Sequence, residues 1–328
     1  MVDQYTCYFD KYIGVNLKIA VTGAIGFIGS HLTSRLVGAG SEVAGIVEPG
    51  MEKTVAGVKL SPADVSSGKD VSPKLFEADV VVHLAARNHV IKETASDPLA
   101  EYRRVNVEGT RNVVRAAAMA GVKMFVHVSS VKAVREESGD ILDEESPCEP
   151  KTLYGISKLE SERVVAEEAA KANMRAVILR FPMVYGPGNR GNLPRLIRWA
   201  EKGLPFPLFK PDNLRSMAYV GNVVAGIMAT LNGAPAGVST FFLKDRDDCT
   251  TRFLYSTICK ELGKAPRFLS VPSFVVRMGG LVSEDFRKIT GSLRVSSSRM
   301  EKEIGFSPPV SLEEGLAKTV QWYLCSNR

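Results

Sequence analysis

Tyr154 and Lys158 lie four residues apart in LYGISKLESERVV (residues 153–165), a segment whose pattern predicts a helix. Side chains at positions i and i+4 of a helix lie on the same face. A phenol and an ammonium group placed in this way can exchange a proton with a bound hydroxyl group. Because the same spacing is also common on solvent-exposed helices, the pair predicts proton transfer only if neighbouring motifs support it.

Three glycines follow the first apolar strand, in the segment VTGAIGFIGSHL (residues 21–32). Glycine permits a tight turn and a close approach of the backbone to a pyrophosphate, which then lies at the N-terminus of the following helix. The position of this motif between a strand and a helix predicts a dinucleotide site. The residues expected to contact the cofactor here are Gly23, Ala24, Gly26, Phe27, Ile28 and Gly29.

Two carboxylates lie at the end of the second predicted strand and in the segment after it, where a strand end could contact the adenosine. The second strand ends IVEP, so we expect Glu48 to accept a hydrogen bond from a ribose 2′-hydroxyl, which favours NAD over NADP. If the strand is aligned one residue earlier, Val47 takes that position and the preference for NAD is lost. Asp64 and Val65, in SPADVSS, are expected beside the adenine, although an ordinary loop explains them nearly as well.

The elements that must position these residues alternate along the first half of the chain. The predicted strands are LKIAVTG, EVAGIVE, ADVVVHLA, MFVHVSS and AVILRF, and the predicted helices between them include IGSHLTSRLVGAG, VNVEGTRNVVRAAAMAGV and SKLESERVVAEEAAKAN. Strands that are apolar on both faces and alternate with helices are typical of a parallel sheet covered on both sides. The predicted fold class is therefore α/β, a Rossmann doubly wound parallel sheet with a smaller C-terminal substrate-binding region.

The composition changes near residue 180, where Pro and Gly become frequent in FPMVYGPGNRGNLPR. We therefore predict an N-terminal extension (1–16), an NAD(P)-binding Rossmann domain (17–180) and a mainly substrate-binding C-terminal region (181–328). The last is expected to pack against the carboxyl edge of the sheet.

Composition and charge exclude several classes of protein. The 328 residues are 45% hydrophobic, and their net charge of +6 is not concentrated in a tail or stripe, which argues against nucleic-acid binding. The five cysteines and four histidines show no metal-ligand spacing, so no metal is predicted and a reducing, cytoplasmic location is expected. We find no signal peptide and no apolar segment long enough to span a membrane.

Six motifs resemble, in order and spacing, the extended short-chain dehydrogenase/reductases, the NAD-dependent sugar-nucleotide epimerase/dehydratase family. They are TGAIGFIG, HLAAR (83–87), VNVEGT (105–110), VSS (128–130), YGISK (154–158) and LRFPMVYGPG (179–188). The resemblance extends from residue 17 onward. The segments SSVK and GSLRVSSS are similar to bacterial polysaccharide enzymes described as UDP-glucose 4-epimerase-like or as UDP-4-keto-6-deoxy-hexosamine reductase-like.

The resemblance implies that Tyr154 is the catalytic acid/base, Lys158 its partner and Ser130 the hydroxyl that positions the substrate oxygen. Ser129 remains an alternative, because the following VKAVREES departs from the family pattern and aligns with it in two ways, the second of which puts Val131 in place of the serine. A free tyrosine has a pKa near 10, so ionising it near neutrality requires about 4 kcal/mol. Lys158 and an oxidised nicotinamide are expected to supply this.

Further contacts are implied by the same resemblance. The additional cofactor-binding residues are Leu84, Ala85, Ala86, Asn106, Ser129, Phe181 and Pro182. The substrate-binding residues are Ser130, Asn192, Arg215 and Arg294, of which the two arginines suit a nucleotide diphosphate. A solvated or salt-bridged surface role remains the alternative for each arginine.

The predicted function is that of an NAD-dependent UDP-hexose 4-epimerase, acting on UDP-glucose or UDP-N-acetylglucosamine through a transient 4-keto sugar in surface polysaccharide biosynthesis. Val131 and Lys132 stand where 4,6-dehydratases carry an Asp-Glu pair, which argues against dehydration. The alternative is an NAD(P)H-dependent reductase of a UDP-4-keto-6-deoxy-hexosamine, which uses the same residues in one direction. A non-catalytic nucleotide-sensing relative is disfavoured, because both Tyr154 and Lys158 are present. A homodimer is expected, through the helix beginning near Val107 and the helix that carries Tyr154.

Overall fold

Seven parallel strands form the central sheet of the computed structural model, which describes residues 17–51, 54–68, 71, 75, 77–88, 95–189, 191–208, 213–270 and 291–326. The predicted N-terminal extension (1–16) lies outside the described residues. The strands of the sheet run in the order β11-β7-β5-β4-β1-β2-β3. Their bounds are β1 Lys18–Thr22, β2 Glu42–Val47, β3 Val58–Pro62, β4 Val80–His83, β5 Met124–Ser130, β7 Arg175–Phe181 and β11 Val238–Phe242.

The first strand lies between the second and the fourth, with Ile19 opposite both Val43 and Val80. The chain therefore winds outwards in both directions from β1. The carboxyl ends of β1 and β4 form the switch point at which open α/β sheets bind ligands. The predicted fold class is confirmed, and the five predicted strands are β1, β2, β4, β5 and β7.

The described residues form the following helices. They are α1 Phe27–Gly38, α2 Pro98–Tyr102, a π-helical segment Arg103–Glu108, α3 Gly109–Met119, a 3-10 turn Val131–Ala133, α4 Leu153–Lys171, α5 Asn192–Glu201, α6 Val220–Gly233, α7 Thr251–Glu261, α8 Ser298–Ile304 and α9 Leu312–Ser326. From α2 through the π-helical segment to α3 the helix is continuous. It begins before the predicted residue 105 because Asp97 caps it, accepting a 3.0 Å hydrogen bond from the Ala100 N–H, and Pro98 suits its first turn.

Successive side chains of the strands enter two hydrophobic layers on opposite faces of the sheet. Ile19 and Val21 pack in the layer that also contains residues of α1 and α6, whereas Ala20 and Phe125 pack in the layer with α3 and α4. This alternation is the two-residue period of a strand. Burial on both faces explains the continuous apolar runs in the sequence.

The C-terminal half contributes short parallel strand pairs and a third hydrophobic cluster. The pairs are β8 Met183–Tyr185 with β10 Met217–Tyr219, β9 Phe206–Leu208 with β12 Phe268–Ser270, and β6 Ile141–Leu142 with β13 Arg294–Val295. The third cluster is built from α5, α7 and α9 together with strands of these pairs. The β6–β13 pair joins the loop after Ser130 to the C-terminal half.

The sheet also continues past the predicted domain boundary at residue 180. β11 pairs with β7, and α6 packs in the same layer as α1. The chain thus returns from the predicted substrate-binding region to complete the sheet. The domain boundary at residue 180 remains a proposal that rests on the change in composition.

Candidate active site

The predicted glycine turn joins β1 to α1. Gly23 has a φ of +67°, and a Cβ atom at Gly29 would lie 2.1 Å from the Gly23 carbonyl oxygen. Gly26 caps α1 without a side-chain hydrogen bond, so the first N–H groups of the helix are available to an anion. Ala24 is fully buried, and Phe27 and Ile28 pack partly against the third hydrophobic cluster. The turn can therefore present backbone atoms to a pyrophosphate, and the cofactor contacts of its residues stay predictions.

Thr22, the last residue of β1, holds the turn that follows β4. Its hydroxyl oxygen accepts hydrogen bonds from the Leu84 and Ala85 N–H groups, both at 3.2 Å, and lies 2.7 Å from His83 Nδ1. A Cβ at Gly23 would come within 3.0 Å of the Ala85 nitrogen. The two strand ends are therefore fixed against each other at the switch point.

His83 extends this network into the helical layer. Its Nε2 lies 3.0 Å from Thr110 Oγ1, which itself donates a 2.6 Å hydrogen bond to the Asn106 carbonyl. The Thr110 hydroxyl therefore accepts from His83 Nε2–H, and Nδ1 accepts from Thr22. Burial lowers the pKa of His83 to about 3, so the ring is neutral and acts as a structural link.

Asn106 connects this network to the helix that carries Tyr154. Its side-chain oxygen accepts a 2.7 Å hydrogen bond from the Arg87 N–H, and its amide donates to the Arg87 carbonyl and, at 2.9 Å, to Ser157 Oγ. Ser157 in turn donates to the Tyr154 carbonyl at 2.8 Å. Asn106 is 1% exposed, which fits a bracing role better than direct contact with a cofactor.

Tyr154 and Ser130 meet where β5 faces the start of α4. Thr152 caps that helix by accepting from the Gly155 N–H at 3.1 Å, which places Tyr154 in its first turn. Burial raises the pKa of Tyr154 to about 12, against the opposing effect of the nearby Ser130 side chain, which lowers it. In the protein alone the phenol is therefore protonated near neutral pH.

Lys158 is 2% exposed and lies one helical turn after Tyr154. Its ammonium donates a 2.7 Å hydrogen bond to the Val128 carbonyl, and its Nζ lies 3.4 Å from His127 Nε2. Burial lowers the pKa of Lys158 to about 8, against an opposing effect from Glu162. Near neutral pH the amine is therefore a cation that loses its proton far more readily than an exposed lysine.

Ser129 turns away from this site. Its hydroxyl donates a 2.5 Å hydrogen bond to Glu162, which forms a buried ion pair with Arg180 at 2.7 Å. The side chain of Ser129 is committed to that ion pair, so the geometry favours Ser130 as the hydroxyl that positions a substrate. Any contact of Ser129 with a cofactor is then through its backbone.

Phe181 and Pro182 are both buried at the end of β7, and Phe181 is the register partner of Ser130. Ala85 and Ala86, after β4, are half-buried, as is Leu84. These positions lie at the carboxyl ends of β4 and β7, on either side of β5, and their cofactor contacts stay predictions.

At the predicted adenosine end, β2 stops at Val47, and Glu48 follows it as an exposed residue. The carboxylate of Asp64 accepts hydrogen bonds from the Ser66 N–H and hydroxyl, both at 2.8 Å, and these hold its pKa below the usual value. Val65 is buried against Gly109. The roles of Glu48, Asp64 and Val65 stay predictions.

The predicted substrate residues lie in the C-terminal half. Asn192 is the first residue of α5. Arg215 is largely buried and donates a 2.7 Å hydrogen bond to the Gly291 carbonyl, and burial lowers its pKa. Arg294, on β13, pairs with Asp248 at 2.9 Å, and the backbones of Arg215 and Leu293 are bridged. The two arginines therefore lie close together, and the salt-bridged alternative also holds for Arg294.

Tyr102 and Lys132, which lie beside Tyr154, and Arg87, which lies beside Tyr102, were not predicted as site residues. The Tyr102 ring lies 6.2 Å from the Tyr154 ring, with the Arg87 guanidinium 5.5 Å from the Tyr102 centroid. On the other side, Lys132 Nζ lies 5.8 Å from the Tyr154 centroid. The motifs HLAAR and SSVK contain the two cations, but the contact with Tyr102 depends on the helix that starts at Pro98, which the sequence analysis placed too late.

This arrangement, a glycine turn at the switch point and a Tyr–Lys pair facing a serine, defines a dinucleotide-binding enzyme of the short-chain dehydrogenase/reductase type. The family model "NAD dependent epimerase/dehydratase family" matches residues 19–240. The chain belongs to this family and is an NAD-dependent enzyme of it.

Similar proteins include two curated 4-epimerases. The UDP-glucose 4-epimerase of Vibrio cholerae is 32% identical over 94% of this chain and 96% of its own length. The N-acetyl-alpha-D-glucosaminyl-diphospho-ditrans,octacis-undecaprenol 4-epimerase of Escherichia coli O157:H7 is 30% identical over 94% and 96%. Among solved structures, MoeE5 in complex with UDP-glucose and NAD is 27% identical, with a TM-score of 0.79 over 95% of this chain and 100% of that one.

Two further observations concern membrane spans and metal ligands among the described residues. None of the helices among them is long and apolar enough to cross a membrane. No group of three or more His, Cys, Asp or Glu in the same part of the chain is placed to hold a metal ion.

Proposed function

We propose that this chain is a UDP-hexose 4-epimerase, acting on UDP-glucose or UDP-N-acetylglucosamine in surface polysaccharide biosynthesis. The observation that carries the proposal is the meeting of the Tyr154 and Ser130 side chains one helical turn from the buried ammonium of Lys158. The two 4-epimerases among the relatives support the reaction, and the relative solved with UDP-glucose supports the nucleotide.

In this proposal two side chains act on the O4 hydroxyl of the sugar, one by transferring its proton and the other by positioning its oxygen. Ser130 positions O4 of the sugar, and Tyr154 removes the O4 proton and later returns it. Bound at the turn that contains Gly23, Gly26 and Gly29, NAD would supply reversible hydride transfer at C4 of the sugar. Because burial raises the pKa of Tyr154 to about 12, ionising it requires nearby positive charge, which Lys158 supplies as a cation below pH 8.

The cofactor fits the residues that are present. The space left by the missing Cβ atoms of Gly23 and Gly29 lets the backbone form a tight turn at a helix N-terminus, where a pyrophosphate is favoured. The substrate diphosphate is assigned to Asn192, Arg215 and Arg294, because a guanidinium fork matches phosphate oxygens.

The reaction is tested by proton NMR of the purified protein with UDP-N-acetylglucosamine, then UDP-glucose, and a trace of NAD. We expect the anomeric signal of the C4-inverted sugar without accumulation of NADH. Tyr154→Phe should lower turnover by about 100-fold or more, since positioned acid/base groups contribute on that scale. Tyr102→Phe is the matched control, because it removes a neighbouring hydroxyl, and its turnover should stay within a few-fold.

Silence on both sugars, from protein that still binds NAD, would contradict the epimerase. The same tube would then receive a UDP-4-keto-6-deoxy-hexosamine with NADH or NADPH. Stoichiometric oxidation of the added cofactor would identify the reductase instead.

The assembly proposed is a cytoplasmic homodimer formed through the α2–α3 run and α4. These two elements pack side by side, joined by the ion pair between Arg103 and Glu160 at 2.6 Å. Light scattering on the purified chain should give twice the monomer mass of 35.6 kDa. A monomer mass at micromolar concentration would contradict this.

A further inference from the structure

His127 is a fully buried histidine that the proposed reaction does not use. It lies on β5, three residues before Ser130, and its ring stacks on that of His83 with centroids 5.5 Å apart. Its Nε2 faces two residues of α4, with Ser161 Oγ at 3.0 Å and Lys158 Nζ at 3.4 Å. The ring thus lies directly against the predicted partner of Tyr154.

Two consecutive residues of β5 hold the amine of Lys158. The Val128 carbonyl accepts from Nζ at 2.7 Å, and the ring of His127 packs against the same nitrogen. Because an ammonium group has three N–H donors, this leaves donors for a ligand. The strand that presents Ser130 therefore also fixes the position of the charged end of Lys158.

Ser161 determines which ring nitrogen of His127 carries the proton. The Ser161 hydroxyl donates its one hydrogen to the Lys158 carbonyl, at 2.7 Å, and so can only accept from His127. Nε2 is then the protonated nitrogen. Among the described residues Nδ1 has no hydrogen-bond partner, which costs less for an acceptor lone pair than it would for an N–H donor.

The ring stays neutral in this position. Burial, together with the charge of Lys158 and the neighbouring His83, lowers the pKa of His127 well below its usual value. The titratable and charged groups around the Lys158 amine are His127 from β5, His83 from β4, and Tyr154 and Glu162 from α4. Of these, Glu162 is the group that favours the charged amine.

We propose that His127 is a positioning residue for Lys158, fixed by Ser161 as the neutral Nε2–H tautomer so that it turns an N–H edge, and not a lone pair, toward the ammonium. An N–H dipole so directed disfavours the positive charge. Lys158 therefore releases its proton at a lower pH than burial alone would bring about. The inference can be tested in two ways, and only the kinetic test rests on the proposed catalytic role of Lys158.

The direct test is nitrogen NMR of the whole protein labelled with [15N]histidine. The chain has four histidines, which substitution can assign. We expect His127 to be neutral and protonated at Nε2 from pH 6 to 9. Its nitrogen shifts should report the loss of charge from Lys158 with a midpoint below pH 8, because burial lowers the pKa of that amine to about 8 and the N–H edge of His127 lowers it further. Lys158→Met should abolish this titration, and Lys151→Met, which removes an exposed lysine before the same helix, should leave it.

An Nδ1–H tautomer, a ring that ionises in this range, or a titration that persists in Lys158→Met would each overturn the inference. None of these results depends on turnover of a sugar, so they are distinguishable from failure of the proposed reaction.

The kinetic test uses His127→Phe, which keeps a buried ring and removes its N–H dipole. Activity that needs the Lys158 cation falls as pH rises through the pKa of Lys158, which burial lowers to about 8 and the N–H edge of His127 lowers further. Without the dipole the cation persists to higher pH, so the falling limb of kcat should move up by about 0.5 to 1 pH unit, a three- to tenfold change in proton affinity. KM for the sugar should not change. An unmoved or lowered limb in folded His127→Phe contradicts the proposal.

Discussion

Beneath Ser130, Glu162 and Arg180 form an ion pair whose side chains are 5% and 8% exposed, whereas Asp248 and Arg294, in the C-terminal half, pair with 12% and 32% exposed. The first pair is also hydrogen-bonded to Ser129 and lies within the sheet layer. The second is shared with Lys244 and Ser216. The ion pair on the side predicted to bind the cofactor is therefore buried, whereas the ion pair on the side predicted to bind substrate is partly exposed.

The difference indicates how the two halves of the site are specified. On the cofactor side, buried hydrogen bonds run from Thr22 through His83 and Asn106 to the Tyr154 helix, so the geometry is set before any ligand binds. On the side predicted to bind substrate, Arg294 lies on the short strand β13 and Arg215 forms an isolated bridge to the residue before it. Contacts carried outside the central sheet can change without altering the sheet itself.

The largest effect is expected from Gly29→Ala. The added Cβ would lie 2.1 Å from the Gly23 carbonyl oxygen, and the backbone of the turn has to move to relieve this contact. We expect NAD affinity, measured by calorimetry, to fall by about 100-fold, equivalent to about 3 kcal/mol. Gly38→Ala lies at the other end of the same helix, where no atom of the described part of the chain comes within 4 Å of the new Cβ, and this variant should bind NAD normally. Equal affinity of the two variants would show that the glycine turn is not tightly constrained.

Breaking the buried ion pair should have the next largest effect. Arg180→Met leaves the carboxylate of Glu162 buried without its partner, which typically costs about 3 to 5 kcal/mol. The free energy of unfolding in urea at pH 7 measures this. Replacing both partners, with Arg180→Met and Glu162→Gln together, should recover part of the loss because no buried charge remains. A loss below about 1 kcal/mol in the single variant would remove the contrast between the two halves.

The smallest change in stability is expected from Arg294→Met. Its pair with Asp248 is half-exposed, so the cost should be at most about 1 kcal/mol in the same urea experiment. Affinity for UDP, measured by calorimetry, should nevertheless fall, because the guanidinium is assigned to the diphosphate. Lys302→Met, which removes an exposed cation on α8, is the matched control for charge. Unchanged UDP affinity would leave Arg294 with a structural role only.

The cofactor side was also the more predictable side from the sequence. Gly23, Gly29, Tyr154 and Lys158 reveal themselves by type and spacing, because a turn and a helical repeat are local. The two strands of the central sheet that the sequence does not reveal, β3 and β11, are its edge strands; the segment VKLSP of β3 is nowhere fully buried and so shows no continuous apolar run. The contacts of Tyr102 and Lys132 with the Tyr154 ring join distant segments, and no local pattern signals them.

The π-helical segment Arg103–Glu108 has a consequence for how this helix tolerates changes in length. A turn closed by i+5 hydrogen bonds holds one residue more than an α-helical turn, and such turns recur at functional sites. Deleting one residue there would convert the wide turn into an ordinary α-helical turn, and the segments on either side of it would keep their relative rotation. Deleting one residue from the regular part, Gly109–Met119, would instead rotate everything before it by about 100°, and Tyr102 would leave the face that it shares with Tyr154. A single-codon deletion should therefore preserve more activity in the π-helical segment than in the regular helix after it.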